Sequence, residues 1–81
     1  MSEEEDDKIV KIPRNQTEQV RVGVKEFKGK SYIDIRIYYM DDQGEWKPTK
    51  KGVSLSTEYI TELKDAVNII GEQIKEIEEA E

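Results

Sequence analysis

Cysteine and histidine are both absent from this 81-residue chain. Their absence removes disulfide staples, thiol nucleophiles, imidazole bases and the usual zinc ligand sets. Aromatic residues are few, with one Phe, one Trp and four Tyr, so each position they occupy carries weight. Long hydrophobic runs are missing too. Nothing approaches the roughly 20 consecutive apolar residues of a membrane-spanning helix, and the start does not read as a signal peptide. Without that signal, the glycosylation pattern at Asn15-Gln16-Thr17 is a chance match. No glycine-rich phosphate loop, nucleophile elbow or metal-spaced ligand set occurs. Asp41 and Asp42 precede Gln43-Gly44 and read as turn residues rather than a working carboxylate pair. No enzyme, cofactor or metal site is expected.

Charge is what the chain has in quantity: 40% of its residues are Asp, Glu, Lys or Arg, against 35% hydrophobic. The formal net charge of −6 hides its distribution. Residues 1–7 hold five acids and are expected to form a disordered tail. Residues 8–55 carry eleven Lys or Arg against six acids, a net +5, and residues 56–81 return to a net −6. A basic centre between acidic ends is a statement about partners rather than fold. The thin apolar fraction also bears on assembly. A chain this short is one domain with a marginal core, so oligomerisation is expected.

The periodicity of residues 8–81 gives one α+β domain, a sheet over 8–55 and a helix over 57–80. "KIVKI" (8–12) is a short strand closed by Pro13. "QVRVGVKEF" (19–27) alternates Val20, Val22 and Val24 against Arg21, Gly23, Lys25 and Phe27. "KSYIDIRIYYM" (30–40) alternates Ile33, Ile35 and Ile37 against Tyr32, Asp34, Arg36 and Tyr38. Between them Lys28-Gly29 fits a two-residue hairpin loop, with glycine supplying a positive φ. Setting Phe27 opposite Lys30 aligns Val24 with Ile33, Val22 with Ile35 and Val20 with Ile37, a β-branched register on one face. "DDQG" turns the chain into a fourth strand, "EWKPTKKGVSL" (45–55), whose Pro48 marks an edge or bulge. Trp46 beside that turn suits either a cross-strand anchor or a stacking ring. Ser56 is a helix N-cap with Glu58 in the first turn. Ile60, Leu63, Val67, Ile70, Ile74 and Ile77 then recur at spacings of 3 and 4, a narrow apolar seam. Packing on the chain's own sheet and helix contacts in a dimer are both open for that seam. Gly71 within it favours a bend or fraying.

The face opposite the β-branched one collects Arg21, Lys25, Phe27, Lys30, Tyr32, Arg36 and Tyr38, with Asp34 its lone acid. Lys47, Lys50 and Lys51 follow on the fourth strand. Lysines interleaved with rings suit single-stranded nucleic acid, where phosphates meet the cations and unstacked bases meet the rings. A protein-interaction module that docks acidic partners on the sheet, or other helices on its own, is the alternative reading.

"KEFKGKSYIDIRIYYMDDQGEWKPTKKGVSL" closely resembles the C-terminal domain of the transcriptional coactivator positive cofactor 4 family. The elements that carry the likeness are "FKGK", "IDIR", an aromatic pair followed by "MD", then "GE", "KP" and "KKGVSL" leading into a helix. The likeness extends from about residue 19 to 67. It implies a homodimer of four-stranded antiparallel curved sheets, each followed by one long kinked C-terminal helix, that binds single-stranded DNA, or RNA, without sequence preference. It implies further that Phe27 and Tyr39 stack on bases, while Lys25, Lys28, Lys30, Arg36, Lys47, Lys50 and Lys51 meet the backbone. The transcription machinery is then an expected partner. The expected location is intracellular: the nucleus in a eukaryote, the cytoplasm or nucleoid in a prokaryote. The chain departs from the familiar members in three places. Tyr39 stands for Trp, Thr49-Lys50 stands for Gly-Arg, and a short acidic stretch replaces the long Ser- and Lys-rich N-terminal region. Strict alternation from Ile33 also puts Tyr38, not Tyr39, on the open face. A bulge between Arg36 and Tyr39 would bring Tyr39 round to it.

Overall fold

A computed structural model of the chain describes residues 8–80. The expected acidic tail, residues 1–7, lies outside the described residues, as does residue 81. Four antiparallel strands form one sheet in the order β1-β2-β3-β4: β1 Val10–Pro13, β2 Glu18–Phe27, β3 Lys30–Met40 and β4 Trp46–Ser56. A 3-10 turn, Thr57–Tyr59, leads into the helix α1, Ile60–Ala80.

Register follows the β-branched residues. Phe27 pairs with Lys30, Val24 with Ile33, Val22 with Ile35 and Val20 with Ile37, and the pairing is unbroken out to Glu18 opposite Tyr39. Slipping by one residue would turn every one of these side chains to the wrong face, so the pattern admits no neighbouring register. Lys28 (φ 53) and Gly29 (φ 79) both take left-handed backbone, the combination a primed two-residue turn requires. At the other turn, Asp41 Oδ1 accepts from the Gln43 and Glu45 amides, both at 2.9 Å, and Gly44 (φ 80) completes the reversal. Those amides depress the Asp41 carboxyl pKa, Glu45 most strongly, with the charge of Lys47 3.5 Å away acting in the same sense.

Three expectations shift in detail. The first strand begins two residues late because Lys8 and Ile9 bend before Val10. Its last residue is Pro13, tolerated because β1 is an edge strand. The first residues past Ser56 wind as a 3-10 turn rather than α-helix. Ser56 caps that turn, its hydroxyl accepting from the Glu58 amide. From Ile60 the α-helix continues without interruption through Gly71 to Ala80.

The extra residues sit in β4 beside Pro48, which marked an edge or bulge on that strand, and not in β3. Arg36 pairs with Gly52 and Tyr38 with Pro48, so Thr49, Lys50 and Lys51 of β4 together oppose Ile37 alone. Because β3 stays regular against β2, its alternation is intact. Tyr38 shares a face with Arg36, and Tyr39 shares the opposite face with Ile37. The expected bulge therefore does not carry Tyr39 round to the cationic side.

Apolar residues of all four strands meet on one face: Val10 and Ile12, Val20, Val22 and Val24, Ile33, Ile35 and Ile37, Val53 and Leu55. In the single chain this face is largely uncovered. Ile33 is the buried hydrophobic residue, whereas Val24 and Val53 are exposed. No residue of α1 is buried, and Val67, Ile70, Ile74 and Ile77 of its seam all face solvent.

Candidate nucleic-acid interface

The opposite face is cationic and aromatic. Lys25, Glu26, Phe27, Tyr32, Asp34, Arg36 and Ser54 line one shallow hollow of about 370 Å³. Phe27, at the end of β2, is 63% exposed. The Lys28 ammonium lies 5.3 Å from its ring centroid, within cation–π range. Further down the face the Arg21 guanidinium sits over the Tyr38 ring at 4.3 Å, with Lys25 Nζ at 6.0 Å. Tyr38 is thus already covered by cations on its open side.

Asp34 is the hub beneath these groups. It is 4% exposed, an unusual position for an acid unless it is paired. Its Oδ1 accepts from Arg36 Nη2 at 3.1 Å and from the Ser54 hydroxyl at 3.0 Å. Its Oδ2 accepts from Arg36 Nε at 3.3 Å and lies 3.4 Å from Lys25 Nζ. Burial by itself raises the Asp34 pKa. The hydrogen bonds from Arg36 and Ser54, with the charges of Lys25 and Arg36, more than offset it and hold the carboxyl below its ordinary value.

The same guanidinium reaches the bulge. Arg36 Nη1 donates to the Thr49 carbonyl at 3.0 Å, and the Thr49 hydroxyl donates to the Ile37 carbonyl at 2.7 Å while accepting from the Lys51 amide at 3.1 Å. Gly52 makes the crossing possible. A Cβ there would stand 2.7 Å from the Ile35 carbonyl oxygen and 2.9 Å from Arg36 Cζ.

Of the residues expected at the site, Lys25, Phe27 and Arg36 share the hollow, while Lys28 and Lys30 flank it at the hairpin tip. Lys50 and Lys51 are exposed on the β4 bulge. Two fall elsewhere. Tyr39, 42% exposed, pairs with Lys47 at the far end of β3 on the apolar face, and Lys47 is tied to Asp41. Sequence reasoning did not find Ile9, whose Cγ1 would be 3.1 Å from a Cβ on Gly23, lying beside Tyr38, Arg21 and Lys25. The signal for it was a glycine in mid-strand, which marks a close approach. Trp46, half-buried, pairs with Met40 next to the turn. Among the described residues no cluster of acids is grouped to hold a metal ion, and no helix is long and apolar enough to cross a membrane.

An unclosed four-stranded antiparallel meander with a cationic, ring-bearing face and a C-terminal helix defines an α+β class of small sheet proteins. The sequence profile of the family described as Transcriptional Coactivator p15 (PC4) matches residues 14–66, and the chain belongs to that family. The RNA polymerase II transcriptional coactivator KELP of Arabidopsis thaliana is 43% identical over 58 residues, covering 72% of this chain and 34% of KELP. The chain thus spans about a third of that relative's length. Among solved structures, the bacteriophage T5 homolog of the eukaryotic coactivator PC4, implicated in recombination-dependent DNA replication, is 32% identical. It superposes with a TM-score of 0.72 over 89% of this chain and 84% of its own. A complex of MoSub1 with ssDNA superposes with a TM-score of 0.62 at 31% identity, over 84% of this chain and 78% of MoSub1.

Proposed function

We propose that the chain binds single-stranded DNA, largely without regard to sequence, on the cationic face of its sheet, and that it does so in transcription. The observation that carries this reading is Phe27: a ring 63% exposed at the rim of a hollow, with Lys28 over it. A ring left in water beside cations is unfavourable for a core residue and useful for a base, because stacking is worth roughly 1–3 kcal/mol per base whatever its identity. The solved complex of the MoSub1 relative with ssDNA supports the choice of ligand.

In this reading Phe27 stacks while Lys25, Lys28, Lys30, Lys50 and Lys51 follow the phosphates. Arg36 and Lys47 are secondary contacts, since Asp34 and Asp41 already hold them. Tyr39 is the second ring, met by a strand that passes round the end of the sheet. The working form is a homodimer. The uncovered apolar sheet face and the exposed seam of α1 support it, because apolar surface of that extent on a small protein marks an interface.

Fluorescence anisotropy of labelled ~20-mer single strands and of the matching duplex, each at two salt concentrations, tests the proposal. The single strand should bind more tightly at both salts, and its affinity should fall as salt rises. Equal binding of duplex and single strand would refute the reading. RNA in a parallel titration distinguishes the two nucleic acids. Sedimentation should find a dimer at tens of micromolar, with a melting temperature that depends on concentration.

A further inference from the structure

An acid at the centre of a cationic face is a puzzle on charge alone, since a carboxylate there repels the phosphates the surrounding lysines attract. We propose that Asp34 is a positioning residue for nucleic-acid binding: it locks Arg36 across Gly52, and the locked guanidinium fixes the β4 bulge that presents Lys50 and Lys51. The inference rests on the reading of this face as the single-strand site.

Four donors saturate the carboxylate. Arg36 gives it Nε at 3.3 Å and Nη2 at 3.1 Å, Ser54 its hydroxyl at 3.0 Å, and Lys25 stands at 3.4 Å. A carboxylate offers about four lone-pair sites, so nothing is left over with which to contact a ligand. Its work is therefore internal. The two-point grip sets the plane of the Arg36 guanidinium, whose third donor, Nη1, reaches the Thr49 carbonyl at 3.0 Å. Thr49 is the first of the three residues that oppose Ile37 alone, and its hydroxyl bridges the Ile37 carbonyl and the Lys51 amide. The bulge is thus pinned from both sides, and the residues it pushes outward are Lys50 and Lys51, both exposed. Two long cationic side chains gain affinity when their backbone is fixed in advance, because less ordering is left to binding.

The test exploits a sign. Removing a negative charge from a cationic face should tighten phosphate binding if charge alone matters, whereas releasing the bulge should weaken it. Asp34→Asn in the full chain should bind a labelled single-stranded 20-mer about tenfold more weakly at 0.1 M salt. Its slope of log K against log salt should flatten by up to about 1.4, from two contacts at about 0.7 each. The Lys50→Ala, Lys51→Ala variant should show the same flattening, and adding Asp34→Asn to it should flatten the slope no further. Gly52→Ala, which displaces Arg36 and leaves the Asp34 charge in place, should also flatten it. If Asp34→Asn does not fold, Ser54→Ala withdraws one hydrogen bond from the hub and should move the slope in the same direction by less. Affinity per folded molecule that is unchanged or tighter, with an unaltered slope, would overturn the inference. Failure of the unmodified chain to bind single strands would instead remove the reading of the face itself.

Discussion

Phe27 and its lysine neighbours are adjacent, yet their contributions are separable because stacking and counterion release respond differently to salt. Phe27→Ala should cost roughly 1–3 kcal/mol in single-strand affinity with little change in salt dependence. Lys28→Ala combined with Lys30→Ala should instead flatten the salt slope by up to about 0.7 per lost contact. Both variants should stay folded, since Phe27 is exposed and the lysines stand at a hairpin tip. Titration at three salt concentrations with a thermal melt of each variant checks both statements. A sharp fall in melting temperature for Phe27→Ala, with binding per folded molecule preserved, would place that ring in the fold rather than the site. At this scale the sequence was informative. Phe27 and the lysines around it stand out from alternation alone, and the structure leaves that ring open. Asp34 was visible only as a lone acid. Its role depends on Ser54 and Arg36, twenty residues away and two residues away, whose convergence is a property of the sheet rather than of any local stretch.

The β2–β3 hairpin carries a built-in conflict between stability and binding. Lys28 occupies left-handed backbone at φ 53, where a residue with a Cβ is strained by roughly 1–2 kcal/mol. Asn tolerates that conformation, and Asn-Gly is the favoured primed turn. Lys28→Asn should therefore stabilise the fold by up to about 1 kcal/mol while weakening single-strand binding. Chemical denaturation and a binding titration on the same preparation check the pair of effects. The hairpin was legible because β-branched residues at period two define one register and a Lys-Gly step one turn. The irregularity of β4 was legible at Pro48, which cannot donate to a ladder and marks an edge or a bulge. Its exact extent is decided by partners, here the Arg36 to Thr49 hydrogen bond and the close approach of Ile35 and Arg36 to Gly52, where no Cβ would fit. Because β3 stays regular against β2, Tyr39 follows the alternation and lies with Ile37.

For the molecule as a whole, a thin core makes individual polar hubs matter. Asp34 is the clearest, because its carboxyl pKa is lowered in the folded state by Arg36, Ser54 and Lys25 despite its burial. A group whose folded pKa is depressed adds stability above its unfolded value, near 3.9 for Asp, and that stability is lost as pH falls through the folded value. Denaturation of the unmodified chain should therefore show stability falling below about pH 4. Asp34→Asn should be less stable at neutral pH and show a shallower acid decline. An acid decline of equal steepness in the two proteins would contradict this role. Assembly was legible only as a need. The seam of α1 and the apolar sheet face announce a partner surface, but periodicity does not say whether the helix covers its own sheet or that of a second copy. In the single chain it covers neither.

In the proposed function the cationic face of the sheet takes most of the single strand while the apolar face, apart from Tyr39 and Lys47 at its far end, serves packing, and the chain's composition lets the two be watched separately. Phe27, Tyr32 and Tyr38 belong to the cationic face, and Val24, Ile33 and Val53 to the apolar one. Titration of the isotope-labelled protein with a short single-stranded oligonucleotide, followed by NMR of ring and methyl signals, reads both faces in one experiment. The ring signals of Phe27, Tyr39 and the hollow's Tyr32 should shift most, with saturation at the affinity found by anisotropy, while the methyls of Val24, Ile33 and Val53 stay in place. Movement of those methyls with Phe27 and Tyr32 unperturbed would assign binding to the opposite face and contradict the account.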